Sequence, residues 1–300
     1  CLKAIKNLKS HGSGLLAQYE GSWNNGTELS FKEEETLLLS GSTDFEIKLW
    51  DPFGKDEALF TFVGHYQMVT SIAVLSRPED TKSKYFVSGS KDKKLKVWDF
   101  ERKYCVNTTN EHLEGIFALA YNNQKDVLAS ASLDGMILVW RVQFSDNGEF
   151  RKLILKSKLR ADRPSGVYSL AFQDSSRLYA GDADGRLTLW NCESDTCLWT
   201  KQLLDGTIYA VDVVHGDEGN PESQRKAYAI VAGTKGKFGI VELGSLERLG
   251  QFDGCQKFAE QFPFGEILVT RSEEEDDQAI RILSVCNGSS DVYVMQPKLI

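Results

Sequence analysis

The chain has 300 residues, 41% hydrophobic and 26% charged, with a formal net charge of −8 and a pI of about 5.2. No run of about 18 consecutive apolar residues is present, which excludes a conventional membrane-spanning helix. The acidic balance argues against a dedicated nucleic-acid binder, whose phosphate contacts need a basic face, but leaves room for a local basic patch. Six cysteines, at positions 1, 105, 192, 197, 255 and 286, are scattered. The close pair Cys192 and Cys197 has no second Cys or His pair near it, so no metal site is expected. No secretory signal is visible, and free thiols in a reducing compartment, cytoplasmic or nuclear, are the expectation. The glycosylation patterns at Asn25, Asn107 and Asn287 bear only on a secreted chain.

From the N-terminus, Leu2, Ile5 and Leu8 interleave with Lys3, Lys6 and Lys9 at a period of three, as in a short helical tail. Leu15–Gly21 then reads as a strand, its last six residues aligning without gaps to Leu59–Gly64. A repeat begins at Ser40-Gly-Ser-Thr-Asp-Phe-Glu-Ile-Lys-Leu-Trp50-Asp51. It returns as Ser88-Gly-Ser-Lys-Asp-Lys-Lys-Leu-Lys-Val-Trp98-Asp99, as Ser130-Ala-Ser-Leu-Asp-Gly-Met-Ile-Leu-Val-Trp140-Arg141, and as Ala180-Gly-Asp-Ala-Asp-Gly-Arg-Leu-Thr-Leu-Trp190-Asn191. The four tryptophans lie 48, 42 and 50 residues apart. Weaker copies run from Ala232 to Val241 and from Val269 to Leu283.

Each copy reads as strand, tight turn, strand. Small residues sit where strands lie close, and Asp with Gly or Lys makes the turn. The alternation Ile47/Leu49, Leu95/Val97 and Leu187/Leu189 is that of half-buried strands. An inner strand precedes each copy, beginning at Val69, Ile116, Val167 and Ile208. An outer strand follows the tryptophan at Leu59–Val63, Tyr104–Thr108 and Cys197–Lys201. Four strands in roughly 45 residues make one propeller blade.

Gly64-His65 ahead of an inner strand and Trp98-Asp99 closing its repeat give the pattern of the WD40 family, and residues 15–296 resemble a single WD40 β-propeller of six visible repeats. The resemblance implies an all-β fold. It also makes Leu15–Gly21 an outer strand that completes the last blade, with residues 1–14 a tail or a strand of that closing blade and 297–300 a C-terminal tail. Inner-strand triplets are then expected near 26–50, 69–98, 116–140, 167–190, 208–241 and 257–283. Asp291–Gln296 also reads as an outer strand, which leaves three readings: six blades with a spare strand, seven blades with two strands missing, or an open ring that a partner completes; the family resemblance favours seven.

In this family a histidine four residues before an inner strand bonds the turn Asp and a strand Ser and reaches the Trp. The resemblance carries that role to His65, Asp92 and Trp98, with Ser88 or Ser90, and to His112, Asp134 and Trp140, with Ser130 or Ser132. Ser22 stands in this place in the first blade, and blades four to six lack the histidine and are expected to be looser. A Ser–His–Asp set of this kind imitates a hydrolase triad, but a buried, satisfied network leaves no exposed nucleophile. His11 and His215 read as loop residues, and Gly233–Gly239 lies in a strand–turn–strand repeat and not before a helix, so no phosphate loop and no cofactor is expected.

The second residue of each inner strand rims the channel in this family. Those residues are Thr27, Thr70, Phe117, Tyr168, Tyr209 and Phe258, four of them aromatic. Such a mouth suits an Arg- or Lys-containing peptide through ring faces and tyrosine hydroxyls. Trp23, Tyr66, Met68, Phe45 and Leu133 are further candidates on the same side. Glu33–Glu35 and Glu273–Asp277 read as solvated tips, and segments near 77–84, 144–150 and 215–226 as surface loops. Arg151, Lys152, Lys156, Lys158, Arg160 and Arg163 form a basic stretch on an outer strand, where lysines guard an edge. Trp98-Asp-Phe-Glu-Arg102 nearly matches the Trp-Asp-x-Arg box of ubiquitin-ligase substrate receptors. The reading is a non-catalytic scaffold or adaptor subunit of an intracellular multiprotein complex. Its alternatives are an RNA-particle assembly factor, a ubiquitin-ligase substrate receptor and a propeller enzyme.

Overall fold

The structure, a computed structural model, describes residues 16–19, 37–51, 57–78, 83–215, 227–234, 237–243, 248–253, 264–271, 280–286 and 292–295. Among them the regular elements are strands, in six antiparallel sheets of consecutive strands. The first sheet holds β1 (Leu16–Tyr19), β2 (Leu38–Gly41), β3 (Ile47–Trp50) and β4 (Phe60–Phe62). The second holds β5 (Val69–Leu75), β6 (Tyr85–Ser90), β7 (Leu95–Asp99) and β8 (Cys105–Thr109). The third holds β9 (Ile116–Asn122), β10 (Val127–Ser132), β11 (Met136–Phe144) and β12 (Phe150–Arg160). The fourth holds β13 (Val167–Phe172), β14 (Arg177–Asp182), β15 (Arg186–Asn191) and β16 (Thr196–Gln202). The fifth holds β17 (Ile208–His215), β18 (Ala227–Gly233), β19 (Lys237–Glu242) and β20 (Arg248–Asp253). The sixth holds β21 (Phe264–Arg271), β22 (Ile280–Cys286) and β23 (Val292–Met295).

These sheets are propeller blades. Neighbouring inner strands stand side by side, β1 against β5, β5 against β9, β9 against β13 and β13 against β17. Among the described residues the hydrophobic core is therefore divided into layers, one between each pair of successive sheets from the first to the fifth. Between the second and third sheets, for example, Leu75, Val87, Leu95 and Val97 pack against Leu128, Leu138 and Trp140. Close approach is bought by glycine on the second strand of a blade. A Cβ on Gly41, Gly89 or Gly181 would lie 2.5–2.6 Å from Val69, Ile116 or Ile208, the first residue of the next inner strand. Hydroxyls stitch the same seam: Thr70 donates to Ile116 O, Ser71 Oγ accepts from Leu119 N–H at 3.0 Å, and Ser169 donates to Ile208 O at 3.3 Å.

The first blade departs from the sequence reading. Leu16–Tyr19 pairs in register with Leu38–Gly41, so it is the innermost strand of the first sheet and not an outer strand of a closing blade. Alternating apolar residues do not distinguish inner from outer strands, because both have one buried face. This placement removes the surplus strand from which a seventh blade was counted, and it displaces the 26–50 triplet; Trp23 and Thr27 lie outside the described residues. His215 ends β17 and is not in a loop. The 144–150 segment is a loop only between Phe144 and Phe150, where two long strands overhang the second blade. There Tyr85 donates to Glu149 at 2.8 Å and its ring lies 5.8 Å from Phe150. Burial, then the bond to Glu149, pushes the Tyr85 hydroxyl up to about 12.

The tight turns show where the chain accepts strain. The turn Asp accepts the N–H two residues on, at 3.0 Å from Glu46 to Asp44, 3.0 Å from Lys94 to Asp92 and 2.8 Å from Met136 to Asp134. The residue between is left-handed: Gly135 (φ 77°) and Gly185 (φ 81°) in two blades, but Lys93 (φ 71°) and Phe45 (φ 76°) in two others. A left-handed side chain costs about 1–2 kcal/mol, partly offset by the freedom glycine adds to the unfolded chain. Phe45→Gly is therefore expected to stabilise the fold by roughly 0.5–1 kcal/mol. Urea unfolding measures it, and a lower midpoint for the variant would mean that the ring packs locally and is not merely tolerated.

Candidate functional site

Four consecutive inner strands carry a β-bulge at the same place. The pairing with the second strand of the blade skips Thr70 between Val69 and Ser71, Phe117 between Ile116 and Ala118, Tyr168 between Val167 and Ser169, and Tyr209 between Ile208 and Ala210. A bulge re-aims the extra residue and increases local twist. Thr70 is buried, whereas Phe117, Tyr168 and Tyr209 are half-buried. The three rings form a continuous edge-to-face line, with centroids 4.9 Å apart from Phe117 to Tyr168 and 5.4 Å from Tyr168 to Tyr209. Burial, reinforced by Tyr209, raises the pKa of Tyr168, so its hydroxyl stays a donor at neutral pH. Phe258 lies outside the described residues.

A second set of positions flanks this line. Lys91 and Leu133 each follow the second strand of their blade and lie against Gly115 and Gly166, two residues ahead of Phe117 and Tyr168. Lys91 N–H donates to Met68 O at 3.0 Å and Leu133 N–H to Gly115 O at 3.1 Å. The Lys91 ammonium sits 5.6 Å above the centre of the Phe117 ring. Lys91 escaped the sequence reading, although it occupies the repeat position of Leu133.

The histidine networks hold a third set. His65 Nε2 meets Ser88 Oγ at 2.7 Å and Nδ1 meets Asp92 Oδ2 at 2.8 Å, while Trp98 Nε1 donates to Ser88 Oγ at 2.8 Å. One assignment satisfies every group: Trp98 donates to Ser88, Ser88 to His65 and His65 to Asp92. Burial alone would raise the Asp92 carboxyl, but the bonds from His65, Tyr66 and Lys94 hold it below its usual range. In the third blade His112 Nε2 meets Ser130 Oγ at 2.8 Å and Trp140 Nε1 donates to the same oxygen at 2.9 Å. Its Nδ1 stands 3.8 Å from Asp134, too far for a hydrogen bond, and is buried without one. Ser88 and Ser130 are fully buried, so neither set presents a nucleophile. What the networks do present is the next residue. Tyr66 N–H donates to Asp92 at 3.1 Å and Leu113 N–H to Asp134 at 3.0 Å, and both side chains are 73% exposed. Phe45 at 43% and Leu133 at 38% are also exposed. Leu113 was missed by the sequence reading, though it follows His112 as Tyr66 follows His65.

The fourth blade has replaced the histidine and is not simply loose. Arg186 bonds Asp182 at 2.8 Å, Asp184 at 2.8 Å and Arg163 O at 3.0 Å. Ala180 stands where Ser88 and Ser130 stand, and a cavity of about 20 Å³ opens beside Trp190, Ala180, Asp182 and Thr188. Elsewhere, Arg151, Lys152, Lys156, Lys158, Arg160 and Arg163 are all exposed, five of them on β12, the outer edge of the third sheet. Lys156 donates to Cys192 O at 2.6 Å and Lys158 lies 3.8 Å from Glu111. Arg102 of the Trp-Asp-x-Arg-like box turns toward Glu149 of the neighbouring blade, 3.7 Å away. No group of three metal-ligating side chains occurs among the described residues.

Comparison with known proteins agrees with this architecture. The chain is 30% identical over 194 residues to nuclear distribution protein PAC1 of Arthroderma otae, covering 58% of this chain and 42% of that one. It is 29% identical over 184 residues to human pre-mRNA-processing factor 17, covering 59% and 28%. It is 31% identical over 130 residues to the ribosome biogenesis protein WDR12 homolog of Anopheles gambiae, covering 42% and 29%. The chain thus spans less than half the length of these curated relatives. The family model for the WD domain, G-beta repeat, matches residues 5–51, 56–99, 103–141 and 155–191, more than half of the chain, and its first match takes in β1 as part of the first repeat. With four matched repeats, their Trp-closed strand pairs and the His–Ser–Trp networks, this chain belongs to the WD40 repeat family.

Proposed function

We propose that the chain is a non-catalytic scaffold or adaptor subunit of an intracellular multiprotein complex, cytoplasmic or nuclear, and that it grips a peptide-like segment of a partner protein at the mouth of its channel. The observation that carries this reading is the run of bulged residues, which sets Phe117, Tyr168 and Tyr209 into one half-buried aromatic line. Aromatic side chains held by a rigid scaffold supply contact area at little entropic cost. Tyr66, Leu113, Phe45 and Leu133 extend the apolar surface offered by turns and pre-strand loops. The names of the relatives, a processing factor, a biogenesis protein and a nuclear distribution protein, support an intracellular role. Burial of both Ser–His–Asp sets supports a role without catalysis.

A second reading, assembly of an RNA-containing particle, is favoured by the exposed basic edge of β12, and by nothing at the mouth. Affinity capture followed by mass spectrometry separates the two. The expected result is a discrete partner set that is lost from a folded Phe117→Ala, Tyr168→Ala, Tyr209→Ala variant. An unchanged partner set sinks the mouth reading. Partners that disappear on ribonuclease treatment, or when Arg151, Lys152, Arg160 and Arg163 are made glutamine, would transfer the function to the β12 edge.

A further inference from the structure

We infer that the mouth selects a partner segment in which an Asp or Glu side chain adjoins an aromatic or aliphatic one, with Lys91 holding the carboxylate and Tyr168 and Tyr209 holding the apolar neighbour. This rests on the mouth being the binding site, and it names what the site reads. The sequence alone suggested the opposite charge, because open ring faces attract Arg or Lys. The structure supplies that cation from the chain itself. Lys91 Nζ covers the Phe117 face at 5.6 Å. Its backbone is fixed by the bond to Met68 O and by contact with Gly115, where a Cβ would come within 3.1 Å of Lys91 Cα. A partner Lys or Arg would have to displace this ammonium and meet its repulsion.

Of the neighbouring lysines, Lys93 is paired with a carboxylate, whereas Lys91 and Lys94 each lie over a ring, and Lys91 is the one whose ring belongs to the aromatic line. Lys93 lies 3.3 Å from Glu114, and Lys94 sits 5.3 Å above the Tyr66 ring. Among the described residues no carboxylate pairs with Lys91, and neither the Tyr168 nor the Tyr209 hydroxyl has a hydrogen-bond partner. Among the described residues the mouth therefore offers the Lys91 ammonium, two hydroxyl donors and three ring edges. Ammonium to carboxylate and phenol to carboxylate are both charge-assisted bonds, stronger than neutral ones. Leu133, against Gly166 on the Tyr168 side, adds an apolar wall for the neighbour of the acidic residue.

The test is selection of random peptides displayed on phage against the purified chain, with counter-selection on the Phe117→Ala, Tyr168→Ala, Tyr209→Ala variant. The enriched peptides are expected to share Asp or Glu beside Phe, Tyr or Leu. A fluorescein-labelled synthetic copy of the most enriched peptide is expected to bind Lys91→Glu at least about tenfold more weakly in fluorescence polarisation, and Lys91→Gln to fall between. Lys91 is exposed, so these variants keep the fold, which circular dichroism verifies. Mouth-dependent peptides rich in Lys or Arg, or equal binding by wild type and Lys91→Glu, would overturn the acidic selection and leave the mouth standing as the site. If no enriched peptide distinguishes wild type from the triple variant, both the mouth reading and this inference fall.

Discussion

His65→Ala is expected to destabilise the protein by about 3 kcal/mol, and His112→Ala by roughly 1 kcal/mol less. Both histidines are buried at the seam where the first and second strands of their blade meet the closing tryptophan. At His65 three bonds run in series, from Trp98 through Ser88 and the imidazole to Asp92, all between 2.7 and 2.8 Å. Alanine leaves a void beside the Trp98 ring, whose centroid is 6.1 Å from that of His65, and strips one donor from a carboxylate that stays mostly out of water. At His112 the link to Asp134 is already missing, so alanine abolishes only the bond to Ser130 and the packing. Equilibrium urea unfolding compares the two. A greater loss at His112 than at His65 would mean that the seam is held by packing and not by the donor chain.

The same difference makes stability depend on pH through His112. Burial, only partly opposed by Asp134, lowers its pKa from 6.5 to about 4. The unfolded chain takes up this proton as pH falls through 6.5, and the folded chain does so only near 4. Between those values the unfolded state binds more protons, so stability is full above pH 6.5, falls as the pH drops, and levels off for this group below about 4. The two values together set a loss of about 3 kcal/mol. His112→Gln is expected to start less stable at pH 7 and to show a flatter profile between pH 6.5 and 4, since glutamine does not titrate. Thermal midpoints of wild type and variant across that range measure it, and parallel profiles would assign the acid loss to other groups. Asp92 and Asp174, both held below the usual carboxylate range in the folded state, lose their contributions at lower pH still.

What the sequence displays and what it hides follow from the same repeat. The Trp-closed strand pairs and the inner strands at Val69, Ile116, Val167 and Ile208 are legible because turn chemistry and period-two alternation coincide there. The bulges are not, since skipping one residue in a pairing leaves no mark on composition; only the aromatic character of Phe117, Tyr168 and Tyr209 hinted at a common place. Lys91 was hidden because a lysine in a turn reads as solvated, and only its position over Phe117 separates it from Lys93 and Lys94. The first strand was misassigned because a long connection, from residue 20 to residue 37, parts β1 from β2, where the other blades use shorter ones. A signal was present even so: His11 precedes Leu16 by five residues, close to the four between His65 and Val69 or between His112 and Ile116. In the fourth blade Arg186 took over the clamp from a different strand, a substitution visible only once Asp182, Asp184 and Arg163 O were seen to converge on it.

Photocrosslinking from within the aromatic mouth asks whether a partner docks there. A benzophenone-bearing phenylalanine placed at Tyr168, and as a control at exposed Leu198 on the outer strand of the same blade, is irradiated in cells and the crosslinked products are identified. The expected result is a discrete partner joined at position 168, absent at 198, and captured through a segment that carries Asp or Glu. Crosslinks from position 198 to the same partner with none from 168 would contradict it and place the docking surface on the outside of the propeller.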